Sequence, residues 1–180
     1  SGQNGMEFLF SRLPKIDFAI VGEPTLLDIA IAEKGLMVLD CKSIGKSAHA
    51  ARNEGVNAIY EAIKDIDWFS SYVFPRQSEE TGTVNMTVTQ INSGSQHNVV
   101  PAECDFVVDV RVNDKYSNNE VLNIIKSNVS CEVSARSTRL NSSGVSTNHP
   151  IREVAEKLDI NTYGSPTLSY QSLMPCESVK

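Results

Sequence analysis

Apolar and polar residues alternate along several segments of the chain, and this alternation predicts β-strands. Gly35 to Ile44, Thr83 to Ile91 and Cys104 to Val112 carry apolar side chains at alternate positions over much of their length. Side chains two positions apart lie on one face of a strand, so each segment has a face suited to a buried core. Further strands are predicted for Phe18 to Val21, Leu27 to Glu33 and Cys131 to Leu140.

Two segments between these strands repeat apolar residues with the period of an α-helix. Gly55 to Phe69 has apolar side chains three or four positions apart. In the second segment, Ser117 and Glu120 have the spacing of a capping box, which predicts the start of a helix. Shorter helices are predicted for Met6 to Leu13 and for Ile151 to Leu158.

From Gly35 to Leu140 the predicted elements follow the order β-α-β-β-α-β. This order is typical of a ferredoxin-like α+β fold, in which both helices cover one face of an antiparallel sheet. Asn141 to Asn148 is rich in Ser, Thr, Asn and Gly, which predicts a linker after that unit. The abrupt ends, Ser1 to Gly5 and Pro175 to Lys180, lead us to expect a piece of a larger protein.

Composition and charge exclude several classes of partner. The 180 residues are 41% hydrophobic and 21% charged, which is ordinary for a globular protein. A net charge of −6 without a basic stripe argues against binding to nucleic acid or an anionic membrane. No apolar run approaches the about 20 residues of a membrane span, and the first residues of this sequence do not show the charged-then-apolar pattern that predicts a signal peptide. Four scattered cysteines favour a reducing, cytoplasmic location.

Four short motifs occur in a fixed order along the chain. They are Ile20 to Thr25, Gly45 to Ala51, Gln96 to Pro101 and Asp109 to Arg111. Their order and spacing resemble the di-zinc amidohydrolase family of acetylornithine deacetylase, succinyl-diaminopimelate desuccinylase, aminoacylase and carboxypeptidase G. Each motif alone is weak, whereas all four on the expected elements make a specific signal.

This resemblance implies a domain organisation. The family inserts a ferredoxin-like lid, which dimerises, into a larger α/β catalytic domain. The lid would here comprise residues 35–145, and residues 1–34 and 146–180 would be short pieces of the catalytic domain. The full enzyme would hydrolyse a small N-acylated amino acid, such as N-acetylornithine, with two zinc ions that activate a bridging water.

The resemblance also assigns roles to four residues. Glu23 corresponds to a metal ligand, and His49 to the histidine that enters the partner subunit's active site and stabilises the developing oxyanion. Asn98 and Arg111 correspond to substrate-binding residues, Arg111 to the one that binds the α-carboxylate. The other metal ligands and the general base lie outside this sequence, so we expect the fragment to hold no zinc and to be inactive.

Simpler interpretations of the same residues remain open. Glu23 could begin a solvated loop, and His49 could be a surface histidine. Asn98 could be present only because asparagine favours the backbone conformation of a turn. Arg111 could pair with Asp109. The whole chain could be a non-catalytic ferredoxin-like dimerisation module or a ligand-sensing domain. An RNA-binding role is disfavoured by the acidic charge and by the absence of paired surface aromatics on the strands.

Overall fold

The computed structural model describes residues 5–10 and 12–180. The helices are α1 (Gly5–Phe10), α2 (Ala58–Ser71), α3 (Asn118–Asn128) and α4 (Pro150–Lys157). The strands are β1 (Phe18–Ile20), β2 (Ile29–Glu33), β3 (Gly35–Ile44), β4 (Ala48–His49), β5 (Asn85–Ser93), β6 (Val99–Val100), β7 (Glu103–Val112), β8 (Glu132–Ala135), β9 (Ser143–Gly144), β10 (Thr162–Ser165) and β11 (Glu177–Val179). This content confirms the predicted mixture of helices and strands.

The largest sheet, called the main sheet below, has the strand order β5-β7-β3-β8 with antiparallel neighbours throughout. Strands β3 and β7 pair over ten residues, from Gly35 opposite Val112 to Ile44 opposite Glu103. The β5–β7 pairing is interrupted by a bulge between Val88 and Gln90. Apart from the two-residue strands β4 and β6, the elements run β3-α2-β5-β7-α3-β8 along the chain, which is the β-α-β-β-α-β order that the hydrophobic pattern predicts.

Both long helices pack on the same face of the main sheet. The buried cluster contains Leu39 and Cys41 of β3 and the alternate residues of β7 from Cys104 to Val112. It also contains Ala62 and Phe69 of α2 and Val121 and Ile125 of α3. The opposite face, called the uncovered face below, carries the intervening residues of the strands, which include Asp40, Lys42, Asp105, Asp109 and Arg111. The alternation in the sequence therefore separates core from solvent as expected.

Several element boundaries differ from the prediction for local reasons. Strand β2 begins at Ile29 and not at Leu27, because Leu26 and Leu27 have φ values of 59° and 73° that a strand does not allow. Strand β8 ends at Ala135, well before Leu140. The predicted linker 141–148 contains β9, which pairs with β2. Of the predicted helix 6–13, residues 6–10 lie in α1, Arg12 and Leu13 are not helical, and Ser11 lies outside the described residues.

The segments before and after the main sheet pack on each other. Strand β1 pairs in parallel with β11, and β2 lies between β10 and β9. Glu33 at the end of β2 is fully buried and forms an ion pair with Lys180, 2.9 Å from Oε2 to Nζ. Ser169 and Ser143 donate further hydrogen bonds to the Glu33 carboxylate, so this buried charge is well compensated. None of the described helices is both long and apolar enough to span a membrane.

The capping box at the start of α3 predicts a pH-dependent stability. The Ser117 backbone N–H and the Arg76 guanidinium donate to Glu120, and these bonds lower the pKa of Glu120 from 4.5 to about 2. A depressed pKa in the folded state stabilises the protein above the unfolded pKa, and this contribution is lost as the pH falls toward 2. Urea unfolding should therefore show a deficit for Glu120→Gln at pH 6 that shrinks steadily toward pH 3.

Glu54→Gln is the matched control, since Glu54 is exposed and receives no hydrogen bond from the described residues. It should unfold like the unchanged chain at both pH values. A Glu120→Gln deficit that is the same at pH 6 and pH 3 would contradict the assignment.

Candidate functional site

His49 and Asn98 lie side by side beyond one end of the main sheet. Strands β4 and β6 form a small antiparallel ladder in which His49 is opposite Val99. The backbone N–H of Ala50 donates to the carbonyl oxygen of Asn98 at 3.0 Å. The structure therefore brings together two predicted site residues that are 49 positions apart in the sequence.

Close backbone packing holds the His49 loop in place. Lys46 and Val56 exchange two backbone hydrogen bonds, 2.8 and 3.0 Å, which close the loop between them. A Cβ on Gly45 would overlap with the carbonyl oxygen of Val56, and Gly55 has a φ of 88°. Glycine is thus required at both ends of the loop for steric reasons.

The hydrogen bond of the His49 ring selects its donor atom. His49 Nδ1 accepts from the backbone N–H of Ala51 at 3.2 Å. In a neutral imidazole one nitrogen accepts and the other carries the proton, so the proton is on Nε2. The side chain is exposed, and Nε2 has no hydrogen-bond partner in the described part of the chain. The loop therefore presents Nε2–H outward as a donor, which suits a developing oxyanion.

Arg111 lies on the uncovered face, near the other end of the main sheet. It is opposite Leu36 of β3 and Asn85 of β5. Its Nε and Nη2 donate to the Asp109 carboxylate at 2.7 and 3.1 Å. This pairing fixes the guanidinium plane and leaves Nη1 without a partner among the described residues. Arg111 thus keeps free N–H donors for a ligand despite its pairing with Asp109.

Two residues beside Arg111 were missed by sequence reasoning. Asn85 is its direct neighbour on β5, and Lys34 donates from Nζ to Asn85 Oδ1. Burial lowers the pKa of Lys34, whose residue is only 5% exposed. A lysine at the end of the apolar run Ile29 to Ala32 was the available signal, since lysine is seldom buried without a carboxylate.

The two predicted halves of the site are far apart within one chain. Arg111 is level with Leu36, and His49 lies beyond Ile44, eight residues further along β3. At about 3.4 Å per residue, the ladder places roughly 27 Å between Leu36 and Ile44, the residue after which the chain leaves β3 for the His49 loop. A small substrate cannot reach both from within a single chain.

Glu23 is exposed and follows β1, whose register with β11 is extended by a hydrogen bond from Val21 N to Val179 O. Among the described residues, no three His, Cys, Asp or Glu side chains are grouped closely enough to hold a metal ion. The side chains described here therefore do not fit a two-zinc site, and the role of Glu23 as a metal ligand stays a prediction.

Comparison with known proteins agrees with the fold. The sequence profile described as the peptidase dimerisation domain matches residues 31–137. A succinyl-diaminopimelate desuccinylase from Orientia tsutsugamushi is 28% identical over 131 residues, which cover 69% of this chain and 34% of that protein. An acetylornithine deacetylase from Myxococcus xanthus is 34% identical over 102 residues, or 52% of this chain and 26% of that protein.

Solved structures show the same architecture over almost the whole chain. A tripeptidase from Staphylococcus aureus superposes with a TM-score of 0.73 at 23% identity, covering 97% of this chain and 51% of that one. An aminopeptidase from Bacillus cereus gives a TM-score of 0.63 at 16% identity. The chain spans about a third of the length of the desuccinylase relatives.

The ligand inventory predicts weak metal binding by the 180-residue chain. Isothermal titration with Zn²⁺ should give no saturable two-ion isotherm, because Glu23 is the one predicted metal ligand in this chain and a lone exposed carboxylate binds zinc poorly. Glu23→Ala should leave the titration unchanged. His149→Ala is the control for adventitious binding, since His149 Nε2 lies 4.0 Å from the Glu177 carboxylate. A tight two-ion isotherm that disappears in Glu23→Ala would contradict the prediction.

Proposed function

The chain belongs to the peptidase dimerisation domain family, and we propose that it contains the lid of a zinc-dependent hydrolase that removes the acyl group from N-acyl amino acids. Residues 35–145 are the lid, and residues 1–34 and 146–180 belong to the catalytic domain. Relatives that bear the names desuccinylase and deacetylase support this choice. The observation that carries it is the separation of His49 and Arg111 at opposite ends of one rigid sheet.

The edges of the main sheet differ in a way that favours dimerisation through β5. Within the described part of the chain, β5 is hydrogen-bonded only on its β7 side. It has nine residues without a charge or a proline, which leaves an edge open to pairing with another strand. The opposite edge strand, β8, has four residues, includes Glu132, and is followed by Arg136. Short, charged edges of this kind discourage strand addition.

Exposed apolar side chains lie beside β5. Ile91 is 55% exposed, although it is opposite Phe106 and therefore on the helix-covered face. On α2, Asp65 accepts hydrogen bonds from the backbone of Ser130 and Cys131, so that flank of the helix faces β8. Ile63 lies about 200° around the helix from Asp65, on the flank toward β5, and is 52% exposed. Ile63 and Ile91 thus extend the β5 edge into an apolar surface.

A two-fold axis at this edge would complete the site. Two β5 strands related by such an axis run antiparallel, so the Ser93 end of one chain meets the Asn85 end of its partner. Ser93 leads into the loop that carries Asn98, and Asn85 is beside Arg111. The dimer therefore brings His49 and Asn98 of one chain to Arg111 of the other, which a single chain cannot do.

The chemistry of the described residues suits amide hydrolysis at that junction. Arg111 binds the carboxylate of the substrate with its free N–H groups. The exposed Nε2–H of His49 meets the oxygen on which negative charge develops, and Asn98 supplies a second polar contact. Zinc and the general base come from the rest of the longer protein, in which Glu23 is one metal ligand. The 180-residue chain by itself is inactive.

A charge on the proposed interface should dissociate the dimer. Ile63→Asp places a carboxylate in the apolar surface beside β5, where its desolvation would oppose association. Light scattering at micromolar concentration should show a dimer for the unchanged chain and a monomer for Ile63→Asp. Leu158→Asp, at a position 63% exposed at the end of α4, is the control and should remain dimeric. A dimer that survives Ile63→Asp would place the interface elsewhere.

Subunit mixing tests the shared site in the longer, active protein. His49→Ala should lower kcat by about 10²–10³, since its donor meets charge that forms in the transition state. Arg111→Ala should mainly raise KM. In a mixed dimer of the two variants, one site receives His49 from one chain and Arg111 from the other. Assayed at a substrate concentration well below the original KM, where each variant alone has little activity, the mixture should regain activity, toward half of the original per mixed dimer. Demonstrated subunit exchange without recovered activity would contradict action across the interface.

A further inference from the structure

The junction between β2 and β3 contains a buried lysine with neutral partners. Lys34 Nζ donates to the carbonyl oxygen of Thr83 at 2.5 Å and to Asn85 Oδ1. An ammonium group has three N–H donors, and the third has no partner among the described residues. No carboxylate in the described part of the chain lies within ion-pair distance of it. An incompletely compensated positive charge therefore lies directly behind Asn85.

Lys34 determines which end of the Asn85 amide faces the solvent. Asn85 is exposed and directly opposite Arg111, so the two side chains share the uncovered face with Cβ atoms about 5 Å apart. Oδ1 of the amide is taken by the Lys34 ammonium. The Nδ2 group, which can only donate, must then point away from Lys34. It has no acceptor among the described residues.

Arg111 supplies the neighbouring donors. Asp109 occupies Nε and Nη2 of its guanidinium, which leaves Nη1 for a ligand. The group formed by Lys34, Arg111 and Asp109 contains two positive charges and one negative charge, so its net charge is positive. Two adjacent donor groups with a positive charge behind them match the two oxygens of a carboxylate.

We propose that Asn85 binds the carboxylate of the substrate together with Arg111, and that Lys34 is a positioning residue that fixes the Asn85 amide for this task. The inference rests on the proposed role of Arg111 and extends it by a second donor. A purely structural junction would gain more from an apolar side chain than from a buried ammonium, because burying a charge has a desolvation cost. Carboxylate binding would give this costly buried charge a role.

Titration of the ¹⁵N-labelled 180-residue chain with N-acetylglycine tests this. N-acetylglycinamide, which lacks the carboxylate charge, is the matched ligand control. Saturable NMR shifts of the Asn85 Nδ2 and Arg111 Nε resonances are expected with the acid and not with the amide. Asn85→Ala should weaken binding about tenfold, the effect of losing one hydrogen bond to a charged group.

Lys34 variants separate positioning from mere packing. Lys34→Met should raise the Kd for N-acetylglycine by a similar factor. Lys34→Arg, which keeps the charge, should raise this Kd less than Lys34→Met does. Lys42→Met is the control, since it also removes one positive charge. Lys42 lies in β3 six residues beyond Leu36, the residue opposite Arg111, and is therefore about 20 Å from the Arg111 end of the strand. A lower unfolding midpoint for Lys34→Met with an unchanged Kd would show that Lys34 is only structural, and would overturn its proposed role.

The remaining outcomes distinguish this inference from the function on which it rests. If Arg111→Ala weakens binding and Asn85→Ala does not, the role of Asn85 is wrong and that of Arg111 stands. If Arg111→Ala leaves the affinity for N-acetylglycine unchanged, the proposed carboxylate-binding role of Arg111 fails as well. Equal shifts with acid and amide, or no shifts with either, overturn both.

Discussion

The ten-residue ladder between β3 and β7 determines where the candidate site residues lie. Backbone hydrogen bonds fix its length, and buried side chains of α2 and α3 pack against one of its faces. The ladder therefore keeps Arg111 and His49 at opposite ends of the main sheet. A small substrate can therefore contact only one end of the main sheet within a single chain. To contact both Arg111 and His49, it must bind between one end of this sheet and the opposite end of the sheet in a second chain.

The Arg111 end of the main sheet is also the end at which the flanking segments, which include β2 and the C-terminal strand β11, join it. Glu33 and Lys34 are adjacent in sequence and have opposite roles there. Glu33 is buried, fully hydrogen-bonded, and ties β2 to the C-terminal segment through Lys180. Lys34 reaches the start of β5, with neutral partners only among the described residues. One residue secures the flanking segments, and its neighbour supplies charge beside Arg111.

The sequence predicts the main elements well, because burial on a sheet imposes alternation and burial on a helix imposes a period near 3.6. It does not predict β4 and β6, which are two residues long and leave no periodic signal. Those strands nevertheless set the position of His49 beside Asn98. The prediction of β2 wrongly included Leu27, since apolar character does not report a left-handed backbone.

The sequence predicts individual site residues, but it does not predict which of them are neighbours in the folded chain. The motifs identified His49, Asn98, Arg111 and Glu23, and their proposed roles remain to be tested. Register could not be derived from the motifs, and register is what places Asn85 opposite Arg111. The contact of Lys34 with Asn85 joins residues 51 positions apart, and no local pattern signals it.

The distance between the His49 end of one chain and the Arg111 end of its partner can be measured with spin labels. Spin labels would be attached at Gln96, beside Asn98, and at Lys115, four residues beyond Arg111, after Cys131 and Cys176 are replaced by serine. Double electron–electron resonance on dimers with one label per chain, one of each kind, measures the distance between chains. Doubly labelled chains diluted with unlabelled ones give the distance within a chain. We expect the distance between chains to be the shorter of the two. A distance between chains equal to or longer than the one within a chain would contradict it.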